Sequence, residues 1–179
     1  MFPYTVSRTL HGLAVSLALS LAVIVGGVSL VQADVPPAPT GQPILFVDGA
    51  ITHTNVGVEA QFDLEALLAQ SAVTFTTSTN WTEGMPTFTG VPLKALLEAV
   101  GATGTTVSAV ALNNYAIDIP LDSLDDNAPI VAYHIDGKTF SRRDKGPLWI
   151  VYPYDSSADY RNDLVYGRSI WQLERLTVK

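Results

Sequence analysis

Two short segments carry the side chains of this sequence that are best suited to bind a ligand. The first runs from Thr77 to Trp81, includes Ser78 and Asn80, and follows a stretch with the pattern of a β-strand. Hydroxyl, amide and backbone donors at the exit of a strand commonly face a ligand. Because a hydroxyl is hard and neutral, this segment is suited to an oxyanion rather than to a soft metal. The alternative is a threonine-rich strand end with Trp81 as a packing anchor.

The second segment is a cluster of basic residues in an acidic chain. Arg142, Arg143 and Lys145 occur within four positions and follow a predicted strand. Guanidinium groups bind phosphate and sulfur oxyanions through paired hydrogen bonds. We therefore predict that these cations contact a small anionic ligand, with Arg168 on the opposite side. The alternative is a solvated turn whose cations pair with Asp144 and other carboxylates.

Several other chemistries find no support in the sequence. The chain has no cysteine, which excludes thiol catalysis, zinc fingers and iron–sulfur ligation. His53 and His134 have no partner at metal-ligand spacing, so we predict no metal site. Asp155, Asp159 and Asp163 recur every four residues, which is not the spacing of a calcium loop and favours a solvated helix face. Hydrolase and nucleotide-binding motifs are also lacking.

Residues 1–33 are predicted to be a cleaved signal peptide. The start is weakly positive, residues 13–30 carry no charge, and Val31 and Ala33 supply the small residues that a signal peptidase reads. An uncleaved anchor is the alternative, because the apolar run approaches membrane-spanning length. The single Arg8 does not match a twin-arginine signal. We therefore expect a periplasmic or secreted protein that crosses the membrane unfolded.

The remaining chain is predicted to form one domain. Prolines make residues 34–43 an extended spacer, since proline cannot continue a helix, and residues 44–179 are long and apolar enough to bury a core. The formal net charge of the chain is −7. Because this charge repels phosphate backbones, a nucleic-acid partner is disfavoured.

Periodicity and turn residues predict an α+β fold with a mostly antiparallel or mixed sheet and two or three helices. Three hairpins are predicted, joining residues 44–47 to 51–56, 107–112 to 115–119, and 130–135 to 138–140. Further strands are predicted at residues 73–77, 147–152 and 170–178, and a loop at residues 78–90.

Two helices have clear boundaries in the sequence. Asp63 is placed to accept the first amide donors of a helix that ends near Gln70. A second helix is expected to begin at Pro92 and to stop at Gly101, with a leucine stripe between them. That stripe is predicted to be core.

Four short motifs follow one another along the chain, namely Thr77 to Trp81, Gly90-Val91-Pro92-Leu93, Gly146-Pro147-Leu148 and Arg168-Ser169-Ile170-Trp171. Together, in this order, they resemble the sulfite-oxidase-type molybdopterin-binding domain family. The resemblance covers roughly residues 44 to 178, and it implies the fold of that family.

The same resemblance implies that several cofactor contacts have changed. In the family, a cysteine just after the strand that leads into the first motif ligates molybdenum. Thr77 stands at that position in this sequence. Trp171 replaces a lysine expected to meet the cofactor phosphate, and Trp149 replaces an arginine. Members of the family generally bind their cofactor, and therefore fold, before export. A general secretory leader exports an unfolded chain, so it argues against a bound cofactor.

These observations favour a non-catalytic module that binds a small anionic or polar ligand, with no cofactor expected. We expect it to report ligand occupancy to a membrane-bound sensor or redox partner. Two alternatives stay open. One is a molybdopterin-dependent oxidoreductase in which pterin contacts hold the cofactor and the dithiolene holds the metal. The other is a structural interaction domain that uses exposed strand edges.

Overall fold

A computed structural model describes Met1 and residues 36–179. Apart from Met1, the predicted signal peptide lies outside the described residues. The described chain contains three α-helices and nine β-strands. The helices are α1 (Leu64–Leu68), α2 (Leu93–Ala99) and α3 (Asp163–Arg168). The strands are β1 (Leu45–Gly49), β2 (Ala60–Phe62), β3 (Val73–Thr76), β4 (Thr87–Pro92), β5 (Thr106–Ala111), β6 (Ala116–Pro120), β7 (Ile130–Ile135), β8 (Trp149–Val151) and β9 (Leu173–Val178). None of the described helices is both long and apolar enough to cross a membrane.

The strands form two sheets. The first has the order β2-β1-β9-β5-β6, and its strands are antiparallel except for β1 and β9, which run parallel. The second has the order β3-β4-β7-β8 and is antiparallel throughout. Mixed and antiparallel sheets with three helices confirm the predicted α+β class.

The sheets and helices share a hydrophobic core. Its largest fully buried side chains include Trp149 on β8, Phe88 on β4 and Phe62 on β2. Leu93 and Leu96 of α2 are also fully buried, which confirms the prediction that the leucine stripe of this helix is core. Burial of apolar surface contributes about 25 cal/mol per Å² to folding. The core therefore fixes β3, β4 and β8, the strands next to the candidate site.

The predicted helix ends agree closely with the structure. Asp63 caps α1 by accepting the Ala66 N–H at 2.8 Å, and it also accepts the Gly41 N–H at 2.7 Å. These backbone donors, that of Ala66 foremost, hold the pKa of the Asp63 carboxyl below its ordinary value. The helix α1 ends at Leu68, slightly before the predicted end. Gly101 follows α2 with a φ of +63°, a left-handed conformation that favours glycine.

Three local predictions were wrong. Residues 51–56 do not pair with β1, because β2 takes that edge with Leu45 opposite Phe62. Residues 138–140 form only one bridge to β7, whose neighbours in the sheet are β4 and β8. The predicted loop 78–90 ends early, since β4 already begins at Thr87 and pairs with β3. In the first two cases the segment just after the predicted turn is not the partner: β1 pairs with β2 and β9, and β7 pairs with β4 and β8.

The hairpin predicted for residues 107–119 is confirmed. β5 and β6 pair antiparallel with Val107 opposite Ile119. Asn114 lies in the turn between them with a φ of 65°, a conformation that asparagine tolerates better than most residues. Asn113 and Tyr115 of this turn line the candidate site.

Candidate functional site

Thr77, the residue after β3, is held in a hydrogen-bonded arrangement with Ser78 and Asp155 that we call the Thr77–Asp155 clamp. Thr77 is fully buried. Its Oγ1 accepts the Asp155 N–H at 3.1 Å, and its hydroxyl is 3.3 Å from Asp155 Oδ2 and from the Ser78 carbonyl. The Ser78 N–H and Oγ–H donate to the Asp155 carboxylate at 2.5 and 3.0 Å. The clamp therefore joins the end of β3 to the segment that follows β8.

Asp155 is the acceptor around which the clamp forms. The Ser78 backbone N–H, followed by the Ser78 hydroxyl, holds the pKa of Asp155 below its ordinary value of 3.8. The carboxylate is therefore the stable form at neutral pH. The predicted acidic helix face was wrong for Asp155, which lies outside any helix and faces the loop after β3, although its position is exposed as predicted.

The chemistry of the clamp does not fit a cysteine-type molybdenum ligand. A metal at this position would need a soft thiolate with a free lone pair. Thr77 instead offers a neutral hydroxyl that is buried and already engaged with Asp155. Within the described residues, no group of three or more histidine, aspartate or glutamate side chains is arranged to hold a metal ion.

Trp81 is the centre of an aromatic cluster beside the clamp. Its ring contacts four other rings in edge-to-face geometry, at centroid distances of 5.6 to 6.4 Å. These rings belong to Trp149, Tyr154, Tyr166 and Trp171. Such pairs add stabilisation beyond their buried area. The loop after β3 is therefore anchored at its start by the clamp at Thr77 and near its middle by the cluster at Trp81.

A cleft of about 290 Å³ opens next to this cluster. Its aromatic lining comes from Trp81, Tyr115, Tyr166 and Trp171. Tyr115 is 53 % exposed and Trp171 is 37 % exposed, so both residues are accessible from solvent. Asn113 adds a polar side chain. We call this feature the aromatic cleft.

The basic turn, which we define as Arg142, Arg143 and Lys145, is attached to the residue after Trp171. Gln172 donates its side-chain Nε2–H to the Arg142 carbonyl at 2.7 Å and its backbone N–H to the Lys145 carbonyl at 2.9 Å. Lys145 Nζ lies 6.0 Å from the centroid of the Trp149 ring, within the range of a cation–π contact. The turn is thus fixed against the aromatic cluster.

Gly146 allows the basic turn to fold back tightly. A Cβ at this position would lie 1.9 Å from the Phe140 carbonyl oxygen, closer than any side chain can approach. Within the turn, the Ser141 hydroxyl donates to the Asp144 carboxylate at 2.7 Å. Arg142 and Arg143 are exposed, and no carboxylate pairs with either among the described residues.

The predicted site residues therefore fall in three places. Thr77 and Ser78 form the clamp, and Trp81 lines the aromatic cleft, whereas Asn80 is exposed. The basic turn adjoins the cluster. Arg168 instead contacts Ser123, to which its Nη1–H donates at 3.3 Å, and it does not line the aromatic cleft.

The sequence reasoning missed Asp155 as a partner of Thr77 and missed the cleft residues Asn113, Tyr115 and Tyr166. The clamp residues are 78 positions apart, and no local pattern relates them. The many aromatic residues in the last third of the chain could have indicated an aromatic site. Periodicity, however, does not show which of these residues lie together in the fold.

Comparison with known proteins agrees with the resemblance seen in the sequence. A family model described as the oxidoreductase molybdopterin binding domain matches residues 54–158, more than half of the 179 residues. The matched range contains the clamp and the basic turn and ends before α3 and Trp171. No curated protein matches the chain. The chain belongs to the oxidoreductase molybdopterin-binding domain family.

Proposed function

We propose that this protein is a non-catalytic member of its family and binds a small anionic or polar ligand in the aromatic cleft. One observation carries the proposal. The Thr77 hydroxyl, at the position where the resembled enzymes have a metal-ligating cysteine, is buried and hydrogen-bonded to Asp155. A side chain engaged in this way stabilises its loop and is not free to bind a metal.

The aromatic cleft supports a binding role. Small-molecule sites are typically concave and mostly apolar, with a few polar groups that orient the ligand. The cleft has this character, with aromatic walls and Asn113 as the polar group. Its volume of about 290 Å³ is just below the usual range of roughly 300–1,000 Å³, which favours a ligand of one or two rings or smaller.

The basic turn supports an anionic ligand. It is hydrogen-bonded to Gln172, next to Trp171 in the wall of the cleft. In a chain with a net charge of −7, a local cluster of exposed cations is the natural attractor for an anion. Attraction of this kind weakens as salt rises.

The proposal extends to location and partners on sequence grounds alone. The composition of residues 1–33 supports export through the general secretory route, and so a periplasmic or secreted location. A non-catalytic module in that compartment would report ligand occupancy to a membrane-bound sensor or redox partner. The negative net charge argues against a nucleic-acid partner.

A molybdopterin-dependent oxidoreductase is the second candidate, and the family match favours it. In that case pterin contacts would hold the cofactor without a protein ligand to the metal.

A purely structural interaction domain is the third candidate. It would use the outer edges of the sheets, and it would not need the aromatic cleft.

Metal analysis separates the first two candidates. We would express the full chain with molybdate in the medium, purify it, and measure molybdenum by mass spectrometry and pterin by fluorescence after oxidation. We expect far less than one equivalent of either in wild type and in the matched variant Thr77→Ser. Stoichiometric molybdenum in both proteins would overturn the non-catalytic proposal.

Blocking the cleft separates the first candidate from the third. Gly167 lines the cleft, and no atom lies within 4 Å of a Cβ added there. Gly167→Leu should therefore fill the cleft without disturbing the fold, whereas Gly167→Ala is the matched control. With benzoate as the probe and tryptophan fluorescence as the readout, we expect at least tenfold weaker binding in Gly167→Leu only. Equal responses in all three proteins would contradict a binding role for the cleft.

The charge of the ligand is tested at the basic turn. We would titrate phosphate and sulfate into wild type and an Arg142→Ala, Arg143→Ala double variant, following NMR shifts at low and high salt. We expect wild type to bind more tightly at low salt and the double variant to lose most of that salt dependence. Equal and salt-insensitive responses would show that the turn is an ordinary solvated loop.

A further inference from the structure

The outer strand of the four-stranded sheet, β3, is open to pairing with another strand. Within the described residues it pairs with β4 alone, on one side. Natural sheets usually protect such an edge with charged side chains, with proline, or with a segment that covers it. The stretch around β3, residues 66–82, contains neither a charged residue nor a proline.

The other three outer strands are each protected. At β2 the Asn55 side chain accepts the Gln61 N–H at 2.8 Å and donates to the Gln61 carbonyl at 2.9 Å. At β8 the Ile150 N–H donates to the Ile170 carbonyl at 2.9 Å, so the segment between α3 and β9 covers that edge. β6 carries a charge at Asp118 and a proline at its end. Of the sheet edges in the described part of the chain, β3 alone is therefore unprotected.

The free backbone groups of β3 belong to Thr74 and Thr76. The Thr77 N–H donates to the Pro86 carbonyl at 3.2 Å, which fixes the alternation of the antiparallel pair. The N–H and carbonyl groups of Phe75 therefore point toward β4, and those of Thr74 and Thr76 point away from it. Both threonines are exposed, so two donors and two acceptors face outward.

We propose that β3 pairs antiparallel with β3 of a second copy of this chain, about a twofold axis at Phe75. In this register Thr74 lies opposite Thr76 of the second copy, and Thr76 lies opposite Thr74. All four outward groups are then paired, two with two, as the symmetry of a dimer requires. A twofold axis at either threonine would pair the other threonine with a residue outside β3.

The side chains of β3 suit a second copy on both faces of the strand. On one face the hydroxyl oxygens of Thr74 and Thr89 lie 2.9 Å apart and those of Thr76 and Thr87 lie 2.8 Å apart, so the dimer extends an existing row of threonines. On the other face Phe75 is half-buried against the core, and Phe75 of the second copy would cover its exposed part. Aromatic pairs across strands are favourable.

The charge distribution also permits this contact. The chain has a net charge of −7, which opposes self-association in general, but β3 brings no charged side chains together. The interface is small, and small interfaces form weak, transient complexes. None of the β3 residues lines the aromatic cleft, so the pairing does not depend on the proposed ligand site.

Two double variants at the same positions test the register. In Thr74→Lys, Thr76→Lys the introduced lysines lie directly opposite one another in the dimer, and this repulsion should weaken association at least tenfold. In Thr74→Lys, Thr76→Glu each lysine instead faces a glutamate of the second copy, so association should stay within about threefold of wild type. Both variants lose the same two threonine hydroxyls, which makes each the control for the other.

Sedimentation velocity of the protein purified after expression of the full chain, from about 10 μM to about 1 mM, compares wild type with both variants. Wild type that stays monomeric over this range would overturn the proposal. Equal weakening in the two double variants would also overturn it, because the register predicts opposite effects of the second substitution.

Amide hydrogen exchange of wild type provides a readout that needs no variant. The Thr74 and Thr76 N–H groups should exchange more slowly as protein concentration rises, whereas the Phe75 N–H, which points toward β4, should be protected at every concentration. Protection of the two threonine amides that is independent of concentration would place another segment of the same chain on this edge and contradict the dimer. Self-association that leaves both amides unchanged would place the interface elsewhere and equally contradict it.

Discussion

The Thr77 hydroxyl makes its hydrogen bonds in two directions. It accepts the Asp155 N–H at 3.1 Å and faces the Asp155 carboxylate and the Ser78 carbonyl at 3.3 Å. A thiol of similar size is a weak donor and a weak acceptor, so it would hold this geometry poorly. The exchange of cysteine for threonine that the family resemblance implies therefore replaces a metal ligand with a hydrogen-bonding group.

At Thr77 we expect a clear difference between two conservative variants. Thr77→Val keeps the shape but removes the hydroxyl from a fully buried position, leaving the Asp155 N–H without its acceptor. The free energy of unfolding should fall by about 1–2 kcal/mol. Thr77→Ser keeps the hydroxyl, so its free energy of unfolding should fall by less than that of Thr77→Val. Urea denaturation measures both, and equal losses would show that the methyl group rather than the hydroxyl matters.

Asp155 should contribute stability that depends on pH. Hydrogen bonds from Ser78 place its folded-state pKa below the unfolded value of 3.8. Its contribution is therefore present above about pH 4 and is lost as pH falls through the folded-state pKa. Asp155→Asn should be less stable at pH 7 and should show a shallower loss of stability in acid.

The matched control for that experiment is Glu83→Gln, which removes a negative charge from an exposed position in the same loop. It should retain the acid dependence of wild type. Denaturation midpoints measured from pH 2 to pH 7 give the comparison, and identical pH profiles for wild type and Asp155→Asn would contradict the role of the carboxylate.

Among the helices, α3 has the most direct link to the aromatic cleft, because it carries Tyr166 and Gly167 in the cleft wall. The Asn162 side chain caps this helix by accepting the Val165 N–H at 3.0 Å. Asn162→Ala should therefore lower the free energy of unfolding by about 1 kcal/mol. The Asp side chain in Asn162→Asp can still accept the Val165 N–H, so the free energy of unfolding of this variant should fall by less. Thermal or urea denaturation of both variants checks this, and equal losses would argue against capping.

Local elements were predictable from the sequence, and their partners were not. The helix α2 and the hairpin of β5 and β6 follow from periodicity and turn residues that lie close together. The pairing of β1 with β2 depends on a strand beyond a loop, and the order of the sheets depends on contacts across the whole chain. Side-chain alternation fixes which face a strand buries, but it does not identify the neighbouring strand.

The same distinction applies to the candidate site. Thr77, Trp81 and the basic turn were recognisable because short motifs carry them. Asp155 and Tyr115 come from separate segments that only the assembled sheets bring to the site. Arg168 was expected opposite the basic turn, and its contacts with Ser123 depend on the position of α3, which the sequence did not predict.

For the molecule as a whole we expect stability without molybdenum. The core consists of apolar side chains from both sheets and α2, and no described residue needs a metal to complete its packing. Protein from cells unable to make molybdopterin should unfold within about 1 °C of protein from ordinary cells, because a ligand that does not bind cannot shift the folding equilibrium. Calorimetry of the two preparations tests this. A markedly lower midpoint without the cofactor would favour the oxidoreductase.

The position of β9 sets the order in which the chain can fold. This strand, Leu173–Val178, lies in the middle of the five-stranded sheet, parallel to β1 and antiparallel to β5. While ribosomes are still adding those residues, β1 and β5 have no common neighbour and the sheet is open. Pairing across so long a stretch of chain is intrinsically slow. The five-stranded sheet therefore cannot close until β9 has been synthesised and has paired with both neighbours.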